Sequence, residues 1–426
     1  MNIPKWHALL LVGVLLAVLP LVSAVSSRQR AVAQTPAPSH TWQIGVDNVS
    51  PEGHNWTFNA FYPDHLQVHP GDTLVFTLAA NPNAFHTVHL LAPRLTPLED
   101  YSGFVAGFIR PDSTQPGTLQ TPFFDNEPDP PCGRTGQSPC VYNPGDVNSI
   151  EFGVNSGVLV SPPASGGQGN TSFTVSLAPH LSPGPIYLLS DVDGPAMSGR
   201  LDVLPADQPV QGDAAVQADA ARQYQADLLR LTRLEHGLIT PGEASNPDGS
   251  VTWTVKAGGG QPDARLSINA FGPAQLFIIA GDTVTWTNQS PAVVPHTVSG
   301  FASSLAAALP NQSPYQPLCT TDGGPLLPPP GSFPPDIWNT CPGHQANRLT
   351  PFSRPSAPSG APYTGGPRTS GILLAQTVLD SLIGEGMPFT SSYSIQFPNP
   401  GTYVYACAIH QGMTGVLLVS PRPTVR

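Results

Sequence analysis

The chain has 426 residues, enough for two or three domains, with 52 Pro, 41 Gly and only 11% charged residues. That much Pro and Gly excludes an architecture of long helices and points to loop-rich β structure. The formal net charge is −11 with no basic run, which excludes nucleic acid as a partner; a mildly acidic surface suits solubility or docking to a basic protein equally well.

In chain order, Lys5 precedes an apolar run from Ala8 to Ala24. Residues 1–33 therefore read as a secretory signal peptide, with cleavage after Ala24 or near Ala33. An uncleaved N-terminal membrane anchor is the alternative. The run holds no Cys, which argues against a lipid anchor, and no later segment is long and apolar enough to span a bilayer. The expected location is extracytoplasmic: secreted, periplasmic or at the cell surface.

Residues 40–206 and 250–422 read as two copies of one β unit. In the first, Phe58-Asn-Ala-Phe61 precedes Gly71-Asp-Thr73 and then His86-Thr-Val88; in the second, Ile268-Asn-Ala-Phe271 precedes Gly281-Asp-Thr283 and then His296-Thr-Val298. Asn155–Leu159 matches Thr369–Leu373, and Tyr187–Gly199 lies over Tyr403–Gly415. The expected fold is all-β, two tandem sandwiches joined by a helical linker over 207–240. Within that linker Val216, Ala220, Tyr224, Leu228 and Leu231 fall on one helical face, and Gly237 suits the C-cap. Insertions at 99–150 and 300–368 are rich in Pro, Gly, Ser and Asn; the second is placed to fold over one end of its sandwich.

Five Cys are present. Cys132 and Cys140 share one polar loop and Cys319 and Cys341 another, so two local disulfides are expected in an oxidising compartment. Cys407 is left over. It ends the alternating run Tyr403-Val-Tyr-Ala-Cys407, with Tyr403, Tyr405 and Cys407 on one side of the strand. His410 and Met413 follow at three-residue steps, and His296 supplies a second imidazole from upstream. Two His, one Cys and a weak axial Met form the ligand set of a mononuclear blue-copper centre, whose sulfur donors suit Cu(I) and whose imidazoles serve both oxidation states.

These residues resemble the cupredoxin family, of the plastocyanin and amicyanin type. The matching positions are Gly401, Tyr403, Tyr405, Cys407, His410, Met413 and Gly415, with Gly281–Trp286 leading to His296. The short step from His410 to Met413 resembles the ligand loop of amicyanin. The resemblance implies Greek-key sandwiches and one type 1 copper held by His296, Cys407, His410 and Met413. Many members carry Asn directly after the upstream His; this chain has Thr297.

The first copy departs from the pattern. His86 and Met197 keep two ligand positions, but Asp191 and Gly194 replace the Cys and the second His, so no blue copper is expected there. A structural role, or a different site built from His86, His89, Asp191 and Asp193, is the expectation. An exported single-electron carrier that serves a redox partner protein follows. Two-domain oxidases and nitrite reductases are the enzymatic alternative, with copper storage a third. The enzymatic reading is disfavoured because Cys407 is flanked by Ala406 and Ala408, and none of the 12 His forms a His-x-His pair.

Overall fold

The computed structural model describes residues 39–92, 96, 140–144, 153–160, 171–190, 193–261, 265–290, 294–303, 355–366, 368–382, 389–410 and 412–423. The signal-peptide reading, the 304–354 stretch with Cys319, Cys341 and His344, and Cys132 and Asp191 lie outside the described residues. None of the described helices is long and apolar enough to cross a membrane.

Four sheets form among the described residues. The first has the order β3 (Phe61–Tyr62), β1 (Thr41–Val46), β5 (Thr73–Leu78), β9 (Ser172–Leu177), β7 (Cys140–Tyr142). The second runs β4 (His65–Val68), β11 (Gly194–Val203), β10 (Gly184–Ser190), β6 (Phe85–Leu90), β8 (Val154–Val160). Alternation puts Trp42, Ile44, Val46, Leu74 and Phe76 of one sheet against Leu66, Val88, Leu188, Met197 and Leu201 of the other, closing one apolar core.

The other two sheets repeat this order. The third runs β19 (Ser392–Gln396), β16 (Thr283–Asn288), β13 (Val251–Gly260), β14 (Leu266–Gly272), with β12 (Gly242–Ser245) also on β13. The fourth runs β15 (Gln275–Ile279), β21 (Thr414–Ser420), β20 (Gly401–Ala406), β17 (Ser299–Ala302), β18 (Arg368–Thr369). Their core is aromatic, with Trp286, Phe271, Phe301, Phe397, Tyr393 and Tyr405 packed around Val255, Val284 and Leu417.

The duplicated Gly-Asp-Thr has a visible purpose. Asp72 accepts hydrogen bonds from His40 N at 2.9 Å, Trp42 Nε1 at 2.8 Å and His69 N at 2.8 Å. Asp282 does the same for Val251 N at 2.9 Å, Trp253 Nε1 at 3.0 Å and Ile279 N at 3.0 Å. Each carboxylate thereby ties the start of one strand, an indole and a strand of the opposite sheet together. The matched pair His86–Leu159 in the first half also recurs as the bridge His296–Leu373 in the second.

Three features differ from the sequence expectation. The strand β2 (Trp56–Phe58) leaves the first half and pairs with β14 through Phe58–Leu266 and Trp56–Ile268, extending the third sheet. The helix α1 (Asp213–Leu238) continues through Gly237 and is capped by Ile239 in the right-handed helical region, so Gly237 is not its cap. The 99–150 insertion contributes β7, which adds to β9 in parallel.

The expected face of α1 is the one that packs. Leu231 and Leu238 are buried with Trp56, Phe58, Tyr62, Leu266 and Ile268, and Ala220, Tyr224 and Leu228 flank them. The buried Asp227 on this helix accepts from Tyr62 Oη at 2.8 Å and lies 3.5 Å from Arg265 Nη2, so its charge is paired. Helix and β2 together join the halves through one apolar seam. A second short helix, α2 (Gln376–Leu382), lies close after the Leu373 bridge.

Candidate metal centre

His296, Cys407 and His410 come together at one end of the second sandwich. One donor atom from each lies within 4.8 Å of the others, the only such group of His, Cys, Asp or Glu among the described residues. Cys407 directly follows β20 and is buried; His410 keeps an exposed edge; His296 is fully buried. Cys407 Sγ lies 3.6 Å from His410 Nδ1, and the two imidazole centroids are 4.7 Å apart. Among the described residues Cys407 is the free thiol, whereas Cys140 is disulfide-bonded.

The backbone shapes this loop. Cys407 N donates to Met413 O at 2.9 Å, and Met413 N donates to His410 O at 3.3 Å. The loop therefore closes on itself before β21 begins. Met413 is buried in the same core cluster as Cys407 and Tyr405.

His296 is held from behind. Its Nε2 lies 2.9 Å from Ser290 Oγ, while its Nδ1 is buried without a hydrogen-bond partner. An orphaned, buried imidazole nitrogen beside a thiol costs free energy unless something else binds it. A metal does so, and the Ser290 contact is the outer-shell bond that fixes a ligating ring and its tautomer. The main chain leaves room for this: Gly258, at φ +79°, sits at a bulge in β13, and a Cβ there would lie 2.1 Å from His296 Nε2. The donor set and its surroundings fit a copper ion.

Thr297 braces the Cys407 turn. Its N–H points at Cys407 Sγ from 3.3 Å, and its Oγ1 accepts from Ala408 N at 2.7 Å. Ile409 N lies 3.4 Å from the same sulfur. Burial pushes the Cys407 thiol up, against these N–H contacts. Burial holds His410 down at about 3, and burial together with the neighbouring His410 holds His296 well below its ordinary value. Both imidazoles are thus neutral at physiological pH, with a lone pair that a metal can use without displacing a proton.

The corresponding end of the first sandwich is built differently. His86 Nε2 lies 3.0 Å from Asp47 Oδ2 and His86 Nδ1 lies 2.7 Å from Asp193 Oδ2, all three side chains being at most 9% exposed. Ser190 Oγ donates to Asp193 Oδ2 at 2.6 Å. The ring is occupied on both sides, and its donors are not gathered around one point. Burial alone would lower His86, but the Asp193 and Asp47 carboxylates outweigh it and push His86 up to about 10. Of the expected site of His86, His89, Asp191 and Asp193, the structure brings His86 and Asp193 together, and Asp191 lies outside the described residues. Met197 is buried in the core, and His89 is buried farther along β6.

Asp47, Gly258 and Ser290 were missed in the sequence. A signal existed: Trp42 and Trp253 occupy matched positions, and five residues after each the chain turns to positive φ, at Asp47 (59°) and Gly258 (79°).

No protein-family model matches the chain, and no curated protein matches it. Solved cupredoxin structures are similar over part of it. A mutant amicyanin in the Cu(I) state is 15% identical, covering 43% of this chain and 93% of its own, with a TM-score of 0.19. Oxidised plastocyanin from Dryopteris crassirhizoma is 16% identical, covering 39% and 99%, with a TM-score of 0.18. Auracyanin B is 16% identical, covering 43% and 99%, with a TM-score of 0.20. At such scores these likenesses carry no argument, and the candidate metal group rests on its own donor geometry.

Proposed function

We propose that this chain carries single electrons through one copper ion held by His296, Cys407 and His410, with Met413 as the weak axial donor. The observation that supports it is the convergence of one thiol and two neutral imidazoles within 4.8 Å, with His296 Nδ1 left unpartnered. Bound copper would supply one-electron exchange, and a mixed sulfur and imidazole set suits both of its oxidation states. The chain's part is to fix the donors and exclude water: Thr297 and Ile409 hold the sulfur, Ser290 holds His296, and the aromatic core closes the far side. The partly exposed His410 is the expected point of electron entry and exit.

The same reading makes the protein a carrier rather than an enzyme. It is exported, serves a redox partner protein, and has disulfides between Cys132 and Cys140 and between Cys319 and Cys341. The test is to load the full-length protein with Cu(II) and record visible absorption and copper content together. The expected result is one copper per chain and an intense thiolate-to-copper band that Cys407→Ser lacks. Absence of the band in the wild type would overturn the assignment, and more than one copper per chain would favour the enzymatic alternative.

A further inference from the structure

His296 is held from behind by Ser290, and Ser290 is held in turn. Asn288, the last residue of β16, is buried, and its side-chain amide meets three backbone groups. Its Oδ1 accepts from Ser290 N at 2.8 Å. Its Nδ2 donates to Val294 O at 2.9 Å and to Leu373 O at 2.8 Å. One N–H and two carbonyls fix which way the amide points, since only its oxygen can serve the first and only its nitrogen the others.

Each of these partners leads to the ligand ring. Ser290 Oγ lies 2.9 Å from His296 Nε2. Val294 is on the segment that runs into His296. Leu373 O also accepts from His296 N at 3.0 Å, and Leu373 N donates to His296 O at 2.7 Å. Asn288 therefore ties the residue behind the ring, the segment entering it and the bridge beside it to one point.

The first half supplies the comparison. Leu78 ends β5 as Asn288 ends β16, at a matched ladder position: Leu78 pairs with Val46, just before Asp47, and Asn288 with Ala257, just before Gly258. Each stands the same distance in sequence before its His, and Ala80 occupies the place of Ser290. The half whose imidazole is satisfied by Asp193 thus has neither the amide nor the hydroxyl at these positions; the half whose Nδ1 is left open has both.

We propose that Asn288 is a positioning residue for the metal site: it fixes Ser290 so that His296 keeps its ring proton on Nε2 and presents a bare Nδ1 to copper. A proton on Nδ1 would have to be displaced before a metal could bind there. The proposal deepens the copper reading and rests on it for its purpose, but the tautomer of the copper-free ring does not depend on it.

The test uses the full-length protein with Asn288→Ala, with Asn288→Leu, which copies the first half, and with Asp282→Ala as control. Asp282 is likewise buried, just before β16, but its bonds go to Val251, Trp253 and Ile279. The first readout needs no metal: nitrogen NMR of the His296 ring in the copper-free protein. Wild type and Asp282→Ala should show one tautomer, protonated on Nε2, and the Asn288 variants a mixture. The second readout is copper affinity by chelator competition, expected to fall about tenfold in the Asn288 variants and less than about twofold in Asp282→Ala, with the thiolate band shifted in the Asn288 variants alone. A wild-type ring that is mixed or protonated on Nδ1 overturns the proposal without any variant. So does a single Nε2 tautomer kept by the Asn288 variants, or an equal loss of affinity in Asp282→Ala, which would show only a weakened sandwich. If the wild type shows no thiolate band, the copper reading fails while the ring tautomer still decides the role of Asn288.

Discussion

Adding one methyl group at Gly258 would test the arrangement behind His296. The new Cβ would stand 2.1 Å from His296 Nε2, 2.5 Å from Ser290 Oγ and 2.7 Å from His296 Cδ2. An ordinary contact starts near 3.4 Å, so the ring must withdraw by 3.4 − 2.1, or about 1.3 Å. His296 has no exposed surface, and its backbone is pinned to Leu373 by bonds of 3.0 and 2.7 Å, so it can only be driven toward Cys407 and His410. A left-handed conformation costs Ala about 1–2 kcal/mol, and overpacking about 1–3 more. With the Ser290 bond lost as well, Gly258→Ala should destabilise the copper-free protein by about 3–5 kcal/mol. Urea unfolding of the copper-free protein measures this, and copper titration checks that affinity falls with it. A variant within about 0.5 kcal/mol of wild type, binding copper equally well, would refute the reasoning.

Three further outcomes are expected. His86 is pushed up to about 10, above its unfolded value near 6.5, so its contribution is complete below about pH 6.5 and is lost as pH rises through about 10. Asp47, pushed up by burial, acts in the same sense in a more acidic window, its ionisation costing the fold as pH rises from about 4. Stability followed by urea midpoint from pH 7 to 11 should fall more steeply in wild type than in His86→Gln; superimposed curves would contradict this. Asp282→Ala strands Val251 N, Trp253 Nε1 and Ile279 N and should cost about 3 kcal/mol, read as a lowered melting temperature. Leu231→Ala in the seam should cost about 2–5 kcal/mol, while Leu229→Ala on the exposed side, 62% accessible, should change stability by less than about 0.5. Equal effects for the two leucines would disprove the orientation of α1.

The metal loop was legible because its chemistry is local. Three donor types fall within seven residues at the end of an alternating strand, and β20 with the residue after it presents Tyr403, Tyr405 and Cys407 to one core as that alternation requires. The paired Gly-Asp-Thr segments stood out in the sequence, and each Asp makes the same three kinds of hydrogen bond. The seam was not legible. Trp56-Thr-Phe58 alternates as well for one sheet as for another, and only the long-range pairing with Leu266–Ile268 and the Asn55–Asn269 clamp decides its neighbour. Gly237 misled because a glycine near a helix end is more often a cap; here Leu238 still had surface to bury. It packs so close to Gly259 and Gly272 that a Cβ on either would lie within 2.7 Å of it.

The contrast between the halves comes down to how one buried imidazole is satisfied. A ring sealed from water must place both nitrogens, and leaving either unmatched costs about 1–3 kcal/mol. In the first half a residue with a side chain occupies the left-handed position after β1, and the Asp47 carboxylate takes Nε2 of His86 while Asp193 takes Nδ1. The ring becomes a charged link between strands and has no nitrogen left for a metal. In the second half Gly258 withdraws from that place, Ser290 takes Nε2, and Nδ1 of His296 is left facing a thiol and a second imidazole. Replacing the thiolate with Asp191 would not by itself have closed the first site, because a carboxylate can also bind a metal. Asp193 closes it by taking Nδ1, the nitrogen left open in the second half, while Asp47 holds Nε2 from behind as Ser290 does there. Asp193→Ala should therefore free His86 Nδ1 and lower first-half stability without creating a copper site, since the thiol is still missing. Copper retained by Asp193→Ala in a Cys407→Ser background, read as copper content, would show that the imidazole alone decides which half holds metal.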